Sequence, residues 1–413
     1  MLVKVLLALT VIMITARVVG AIFARFNQPA VIGEVVGGIL LGPSLLGRLS
    51  PELMAALLPA DAAPFLNVIA QLGVILYMFL VGLELDLGVM TTRVSTTIVI
   101  SQASIIVPFA LGSLLATLLA GAMAPPGVPF SSFLLFFGVS MSITAFPVLA
   151  RILGDRGLQR TEMGTLALTC AAINDAIAWC LLAFVVGVMQ DTTSNAIWTV
   201  ALTFLYIALM LTAGRAIVTA AVTRLDASSS HIGERSLALV LVAVLLSAVA
   251  TEFIGIHAIF GAFLLGAVIP HHSRVAVQVT GRLADLVRVM FLPAFFAYTG
   301  LRTEIGLVHT VEDWLLCALI VGVATAGKFG GTAIAAKAMG LNWRNSAALG
   351  ILMNTRGLVE LIVLNIGLDL GVITPRLFAM LVIMALVTTM MTSPILMALL
   401  RSEPWQEAER RIS

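Results

Sequence analysis

Charge is what this sequence has least of. Lys, Arg, Asp and Glu together make up 11% of 413 residues, against roughly 25% in a soluble domain, so a water-soluble fold is excluded. The 23 basic and 21 acidic residues leave a net charge of +2, too small to suggest a nucleic-acid partner. Cysteine is equally sparse. Cys170, Cys180 and Cys317 all lie in apolar runs without metal-ligand spacing, which argues against a disulfide framework and a zinc site. No His-Glu-x-x-His and no Gly-x-Ser-x-Gly occurs, and no nucleophile–base pair stands at a telling spacing. The expectation is therefore not an enzyme, and no cofactor is indicated.

What is abundant is apolar: 60% of the residues are hydrophobic and the mean hydropathy is +1.11. A helix needs about 20 mostly apolar residues to cross a bilayer, and runs this long and unalternating suit helices rather than a barrel. The sequence predicts an all-α polytopic membrane protein of about thirteen spans, at 2–23, 31–47, 66–84, 96–122, 130–151, 162–189, 196–222, 236–252, 255–270, 287–301, 314–337, 344–367 and 374–400. The second and ninth are short, so twelve is the alternative count. The first run lacks a small-residue cleavage site and reads as a mature helix. Residues 1–400 form one transmembrane unit, and 401–413 a short tail.

Lys and Arg set the orientation. With the N-terminus outside, the inner loops and tail hold Arg25, Arg93, Arg151, Arg156, Arg160, Arg224, Arg235, Arg274, Arg282, Arg288, Lys337, Arg344, Arg401, Arg410 and Arg411, while the outer loops hold Arg48, Arg302 and Arg376. That asymmetry of about five to one supports an odd count and a cytoplasmic tail. The expected location is a bacterial inner membrane, with lipid as a surrounding partner.

Two spans look broken in a paired way. Ser142-Ile143-Thr144-Ala145-Phe146-Pro147 interrupts the fifth, and Asn354-Thr355-Arg356-Gly357 the twelfth, with residues that divert backbone hydrogen bonds. An odd offset between matching helices gives two oppositely oriented halves. Discontinuous helices at matching positions of inverted repeats point to a midplane ion or substrate site, so the pattern favours transport.

The charges left at membrane depth are few. Asp175 sits mid-helix in Cys170-Ala171-Ala172-Ile173-Asn174-Asp175-Ala176-Ile177-Ala178-Trp179, where an ionised carboxylate is costly unless solvated or paired. It reads as a group holding a proton or a desolvated monovalent cation, with a protonated packing residue as the plain alternative. Asn174 could offer an amide oxygen or simply join two helices. Thr144 could coordinate a cation from the fifth-helix break, or only bend the helix. Lys328, between glycines in Ala326-Gly327-Lys328-Phe329-Gly330-Gly331, reads as a titrating partner or as a counter-charge to half-helix carbonyl ends, against a snorkelling lysine. Arg356 and Glu360, four apart, can pair with each other; Arg356 can also balance helix-end dipoles, and Glu360 could be a second carboxylate in the pathway. Glu34, Glu84, Asp86 and Glu252 fall near helix ends, where solvated caps or lipid-interface contacts explain them. The His271–His272 pair lies in an inner loop, as a pH sensor or as a solvated turn.

Five stretches carry a resemblance. Gly33-Glu34-Val35-Val36-Gly37-Gly38-Ile39-Leu40-Leu41-Gly42-Pro43, Phe79-Leu80-Val81-Gly82-Leu83-Glu84-Leu85, Asn174-Asp175, Gly255-Ile256-His257-Ala258-Ile259-Phe260-Gly261 and Asn354-Thr355-Arg356-Gly357-Leu358-Val359-Glu360-Leu361 occur in this order. Together they resemble the second monovalent cation:proton antiporter family, most closely its plant CHX-type and bacterial Kef-type potassium/proton exchangers, from about residue 7 to 400. The resemblance implies the sodium/proton antiporter fold: two crossed, unwound helices in a mobile core, a dimerisation domain, a homodimer, and elevator-type alternating access. It implies K+ or Na+ and H+ as transported ions. Asp175 matches the ion-binding aspartate and Thr144 the unwound-helix threonine. Lys328 matches the lysine that, in sodium/proton members, pairs with a preceding aspartate. Here that position is Asn174, so the pair cannot form, and electroneutral exchange is the expected stoichiometry. Kef-type relatives continue into a nucleotide-binding domain, whereas about a dozen residues follow the last span here, so control within the chain by such a domain is not expected. A cation channel would show repeated filters, and an organic-anion symporter would be opposed by the charge of Asp175. These are the two rival readings.

Overall fold

A computed structural model describes residues 1–26, 28–84, 94–154, 156–158, 161–189, 193–228 and 233–400. The expected tail 401–413 lies outside the described residues, as do Asp86, Arg93 and Arg160. Among the described residues all regular structure is helical. The long helices are α1 (Leu2–Arg25), α2 (Ala30–Leu41), α3 (Ala63–Glu84), α4 (Val94–Met123), α5a and α5b (Phe130–Ser142 and Phe146–Gly154), α6 (Glu162–Met189) and α7 (193–228). They continue with α8 (Glu234–Ile254), α9 (Ala258–Val268), α10 (274–302), α11 (Val311–Ala338), α12a and α12b (Trp343–Met353 and Leu358–Asp369) and α13 (Pro375–Leu400). A segment thus stands for every predicted span. Among the described residues, nine helices are long and apolar enough to cross a membrane, and α5a and α9 are shorter apolar helices. The protein is an integral membrane protein.

The tenth span starts earlier than predicted. Residues 271–286 read as a loop because their charges lower the hydropathy, yet Arg274–Leu286 is helical and runs through a π-helical turn, Val287–Phe291, into Leu292–Arg302. Val275, Val279 and Leu283 recur at helical spacing and are buried, while Arg274, Arg282 and Asp285 stay exposed. Its first turn is capped twice. Ser273 accepts from the Ala276 N–H, and the Asp226 carboxylate accepts from the N–H groups of Arg274 and Val275. The His271 and His272 rings lie with centroids 3.6 Å apart and planes tilted by 50° in the preceding turn. A second difference concerns Glu34, expected at a solvated end. It is buried in α2 with its Cγ against Gly20, whose missing side chain lets α1 come close. Glu252 does cap a helix: its carboxylate accepts from the Ala258 N–H, the first of α9, at 2.9 Å.

The inverted repeat is visible in the helix contacts. Adding seven to a helix number in the first half gives its counterpart in the second, so α2 against α10 should have a mate in α9 against α3. Both exist, and both depend on glycine. A Cβ on Gly38 in α2 would lie 2.6 Å from Ala297 Cα in α10, and one on Gly82 in α3 would lie 2.9 Å from the Ala267 nitrogen and on top of the Phe263 carbonyl in α9. Likewise α4 packs on α5a, where Gly112 meets Met141, and its mate α11 packs on α12a, where Gly350 meets Phe329. Gly82→Ala should therefore destabilise the protein by about 1–3 kcal/mol through overpacking. The melting temperature of the detergent-purified chain would show it.

By packing, the chain forms two compact units, each discontinuous in sequence. The first comprises Met1–Arg17, Gly37–Val89 and Trp179–Leu301; the second comprises Val18–Val36, Met90–Ala178 and the chain from Arg302 on. Asp175, Asn174, Thr144, Lys328, Arg356 and Glu360 all belong to the second unit.

Candidate functional site: two crossed helix breaks

The α5 backbone leaves the helix at Ile143, with φ −70° and ψ 140°, and resumes at Phe146. Pro147 is the sequence cause, since it has no N–H to give the carbonyl four residues back. The α12 backbone stops at Asn354 and resumes at Leu358. The two breaks are bonded to each other: the Ala145 N–H donates to the Thr355 carbonyl at 3.0 Å, and the Thr144 hydroxyl donates to the Met353 carbonyl at 3.3 Å. Hydroxyls of α13 replace the helical bonds that α12 has given up. The Arg356 N–H donates to Thr389 Oγ1 at 2.9 Å, Thr389 returns its own proton to the Arg356 carbonyl at 2.7 Å, and the Thr355 hydroxyl donates to Thr392 Oγ1 at 3.4 Å.

Stopping α5a at Ser142 leaves its last carbonyls without helical donors and gathers negative dipole there. Two buried cations meet it. Arg356 donates from Nη1 to the Ser140 carbonyl at 2.9 Å and from Nη2 to the Met141 carbonyl at 2.7 Å. Lys328 donates from Nζ to the Ser142 carbonyl and, at 2.8 Å, to the Ser104 carbonyl of α4. Arg356 Nη1 also lies 2.9 Å from both Glu360 oxygens, and this pair is wholly shielded from solvent. Lys328 sits in a π-helical turn of α11, Ala326–Gly330, the kind of local distortion that often marks functional positions.

Asn174 and Asp175 are both fully buried on α6. The Asn174 amide is wedged between the Ser101 and Ser104 hydroxyls of α4, at 2.8 and 2.6 Å, with Thr144 Oγ1 at 3.3 Å. Turned over, its nitrogen would face the Ser101 and Cys170 carbonyls at 3.1 and 3.2 Å and its oxygen would accept from Ser104, so either amide orientation keeps it on α4. Asp175 is different. Neither carboxylate oxygen has a hydrogen-bond partner among the described residues. The Phe146 N–H, first of α5b, and the Lys328 ammonium act on its charge without closing a bond to it. The Asn354 amide, in the α12 break, is also buried with both polar atoms unpartnered among the described residues.

The six predicted residues thus gather around the two breaks, with Lys328 and Arg356 sharing one helix end and Asn174 touching Thr144. Sequence reasoning passed over Ser101, Ser104, Thr389 and Thr392, and took Asn354 only as part of the break. Hydroxyls three apart in apolar helices were the available signal, as in Ser101-x-x-Ser104 and Thr389-x-x-Thr392. Chemically, a buried carboxylate without donors is unfavourable as a bare anion. It demands a proton or a small cation.

Comparison with known proteins places the chain in a family. The family described as "Sodium/hydrogen exchanger, transmembrane" matches residues 11–401. The chain is 46% identical over 382 residues to the Na(+)/H(+) antiporter NhaS4 of Synechocystis sp., covering 92% of this chain and 93% of that one. It is 38% identical to cation/H(+) antiporter 18 of Arabidopsis thaliana, covering 95% of this chain and 48% of the plant protein. It is 33% identical to K(+)/H(+) antiporter 1 of Saccharomyces cerevisiae, covering 93% of this chain and 45% of the yeast protein. The chain therefore spans about half the length of the plant and yeast relatives. Among solved structures, the sodium proton antiporter MjNhaP1 of Methanocaldococcus jannaschii shares the fold, with a TM-score of 0.68 at 14% identity over 96% of this chain and 97% of that one.

Proposed function

The chain belongs to the sodium/hydrogen exchanger family, and on that premise we propose that it exchanges a monovalent cation for protons across the membrane, with Asp175 as the group that both ions share. The observation that carries this reading is the Asp175 carboxylate, fully buried and with no hydrogen bond closed to it among the described residues. A cation and a proton satisfy such a group one at a time, and that competition is the coupling of an antiporter. Thr144 and Asn174 flank it as further oxygen donors. The names of the relatives include both Na+ and K+ exchangers, so either ion is a candidate substrate.

Lys328 and Arg356 compensate charge. They lie on the α5a carbonyls, so the dipole end is neutralised before any ion arrives, and Glu360 balances Arg356. Because Asn174 stands where an aspartate would otherwise precede Asp175, Lys328 has no acidic partner there. One cation then replaces one proton, and the cycle is electroneutral. The second unit, which holds all of these residues, is assigned as the moving core of an elevator; the first is assigned as the dimerisation part of a homodimer. The Lys and Arg bias supports an orientation with the N-terminus outside and the C-terminus in the cytoplasm, and a bacterial inner membrane is assigned as the location.

The test is a proteoliposome assay with an internal pH dye, adding potassium, sodium, lithium and rubidium in turn. Saturable dye responses to one or more of these cations are expected, and their order gives the selectivity. No response to any of them would overturn the reading. On a supported membrane the same cation gradients should drive no sustained current, and a current that reverses with the gradient would refute electroneutrality.

A further inference from the structure

A proline in the interior of a helix deprives one carbonyl of its partner, four residues earlier. Among the described residues, Pro293 follows the π-helical turn of α10, and two more prolines stand within regular α-helix, Pro108 in α4 and Pro394 in α13. The carbonyls bereft by these two belong to Ser104 and Met390. Both carbonyls are taken by side chains from elsewhere in the second unit: Lys328 Nζ donates to Ser104 at 2.8 Å, and Gln28 Nε2 donates to Met390 at 3.2 Å. At Met390 the result is a neutral contact. At Ser104 it fixes a charge at the candidate site.

We propose that Pro108 is a positioning residue for cation exchange: by leaving the Ser104 carbonyl without a helical donor, it anchors the Lys328 ammonium between α4 and the end of α5a and keeps it from closing on Asp175. The proposal rests on the exchange reading above. Three observations converge on it. Lys328 holds two carbonyls, of Ser104 and Ser142, although two acids, Glu360 and Asp175, act on its charge. The Ser104 hydroxyl bonds Asn174, so one residue of α4 touches both the lysine and the neighbour of Asp175. Gly327, next to the lysine, lies directly against the proline: a Cβ there would be 2.9 Å from Pro108 Cα and 3.1 Å from Pro108 Cβ. Alanine keeps both of those atoms, so Pro108→Ala preserves this contact with Gly327 while it removes ring Cγ and Cδ and restores the backbone N–H.

In that variant the restored N–H competes with Lys328 for the Ser104 carbonyl. Released from one acceptor, the ammonium turns to Asp175 and competes with the transported cation. The cation concentration giving half-maximal exchange should rise about tenfold, on the scale of one charge-assisted hydrogen bond. Pro394→Ala restores the same kind of bond away from Lys328 and should change that concentration less than about twofold by the same reasoning. An unchanged value in Pro108→Ala with exchange intact would overturn the proposal.

A melting-temperature cycle on the detergent-purified chain needs no transport and separates this proposal from the exchange reading. Pro108→Ala should raise the melting temperature in a Lys328→Met background, where the new N–H meets a free carbonyl, and raise it less or lower it beside Lys328. The two changes are thus non-additive. Failure of Pro108→Ala to fold, with Pro108→Ala/Lys328→Met folded, supports the anchor; additive effects, or failure of both, refute it. If wild-type proteoliposomes give no cation response, the exchange reading falls while the melting cycle still decides whether Pro108 anchors Lys328.

Discussion

Asp175→Asn abolishes the cation-driven dye response in proteoliposomes while leaving the protein folded. The expectation follows from what the carboxylate lacks. Asp175 accepts no hydrogen bond among the described residues, so an amide of the same shape removes no native bond, and the melting temperature should be at or above that of wild type. The substitution does remove the only feature by which a proton and a cation can replace each other at this point. An amide neither titrates nor carries the charge that offsets a desolvated monovalent ion. Loss of at least about a hundredfold in exchange rate is expected, in the range of removing a directly acting ionisable group. Persistent exchange in Asp175→Asn would move the ion site elsewhere, and a misfolded variant would mean the carboxylate has a structural partner.

Arg356→Met has the largest expected effect on stability. The guanidinium holds two carbonyls at the end of α5a and both oxygens of Glu360, with no access to solvent. Removing it strands Glu360 as a buried acid and leaves the carbonyls of Ser140 and Met141 without a donor. Breaking one side of a buried pair costs about 3–5 kcal/mol, comparable to a large part of a typical domain's stability. A collapse of the melting temperature or of the yield of folded protein should follow. Glu360→Gln should cost less, since the amide oxygen still accepts from Arg356. Adding Glu360→Leu to Arg356→Met should restore part of the loss by removing the stranded acid, but not all, because the two carbonyls remain unserved. A full recovery would show that the end of α5a does not need the arginine.

Much of this arrangement was legible because membranes impose simple rules. Span length and apolarity located the helices, and the rarity of charge in lipid singled out Asp175, Lys328, Arg356 and Glu360. The breaks at 143–145 and 354–357 were legible from residues that resist helical bonding. The amphipathic start of α10 was hidden because hydropathy averages over Arg274, Arg282 and Asp285, whereas burial follows periodicity. The hydroxyls of Ser101, Ser104, Thr389 and Thr392 were hidden for another reason. A serine or threonine in an apolar helix usually bonds its own backbone, as Thr388 does with the Met384 carbonyl, and only the folded neighbours reveal which ones reach across. The acceptor of Lys328 was hidden too, because no spacing within α11 points to α4.

The two halves of this protein share a backbone plan but not a chemistry. The first half provides the acid, Asp175, together with the carbonyl end of α5a; the second half provides Lys328, Arg356 and Glu360. Around the α12a end the partners from the first half are a hydroxyl and an amide, and among the described residues no cation matches those that guard α5a. Geometric likeness has therefore been combined with a division of labour. A chain made of either half twice would repeat the breaks and lose the site, one version with acids and uncovered carbonyls, the other with cations and no acid to oppose them. The two halves are not interchangeable, and the role of a residue in one depends on its complement in the other.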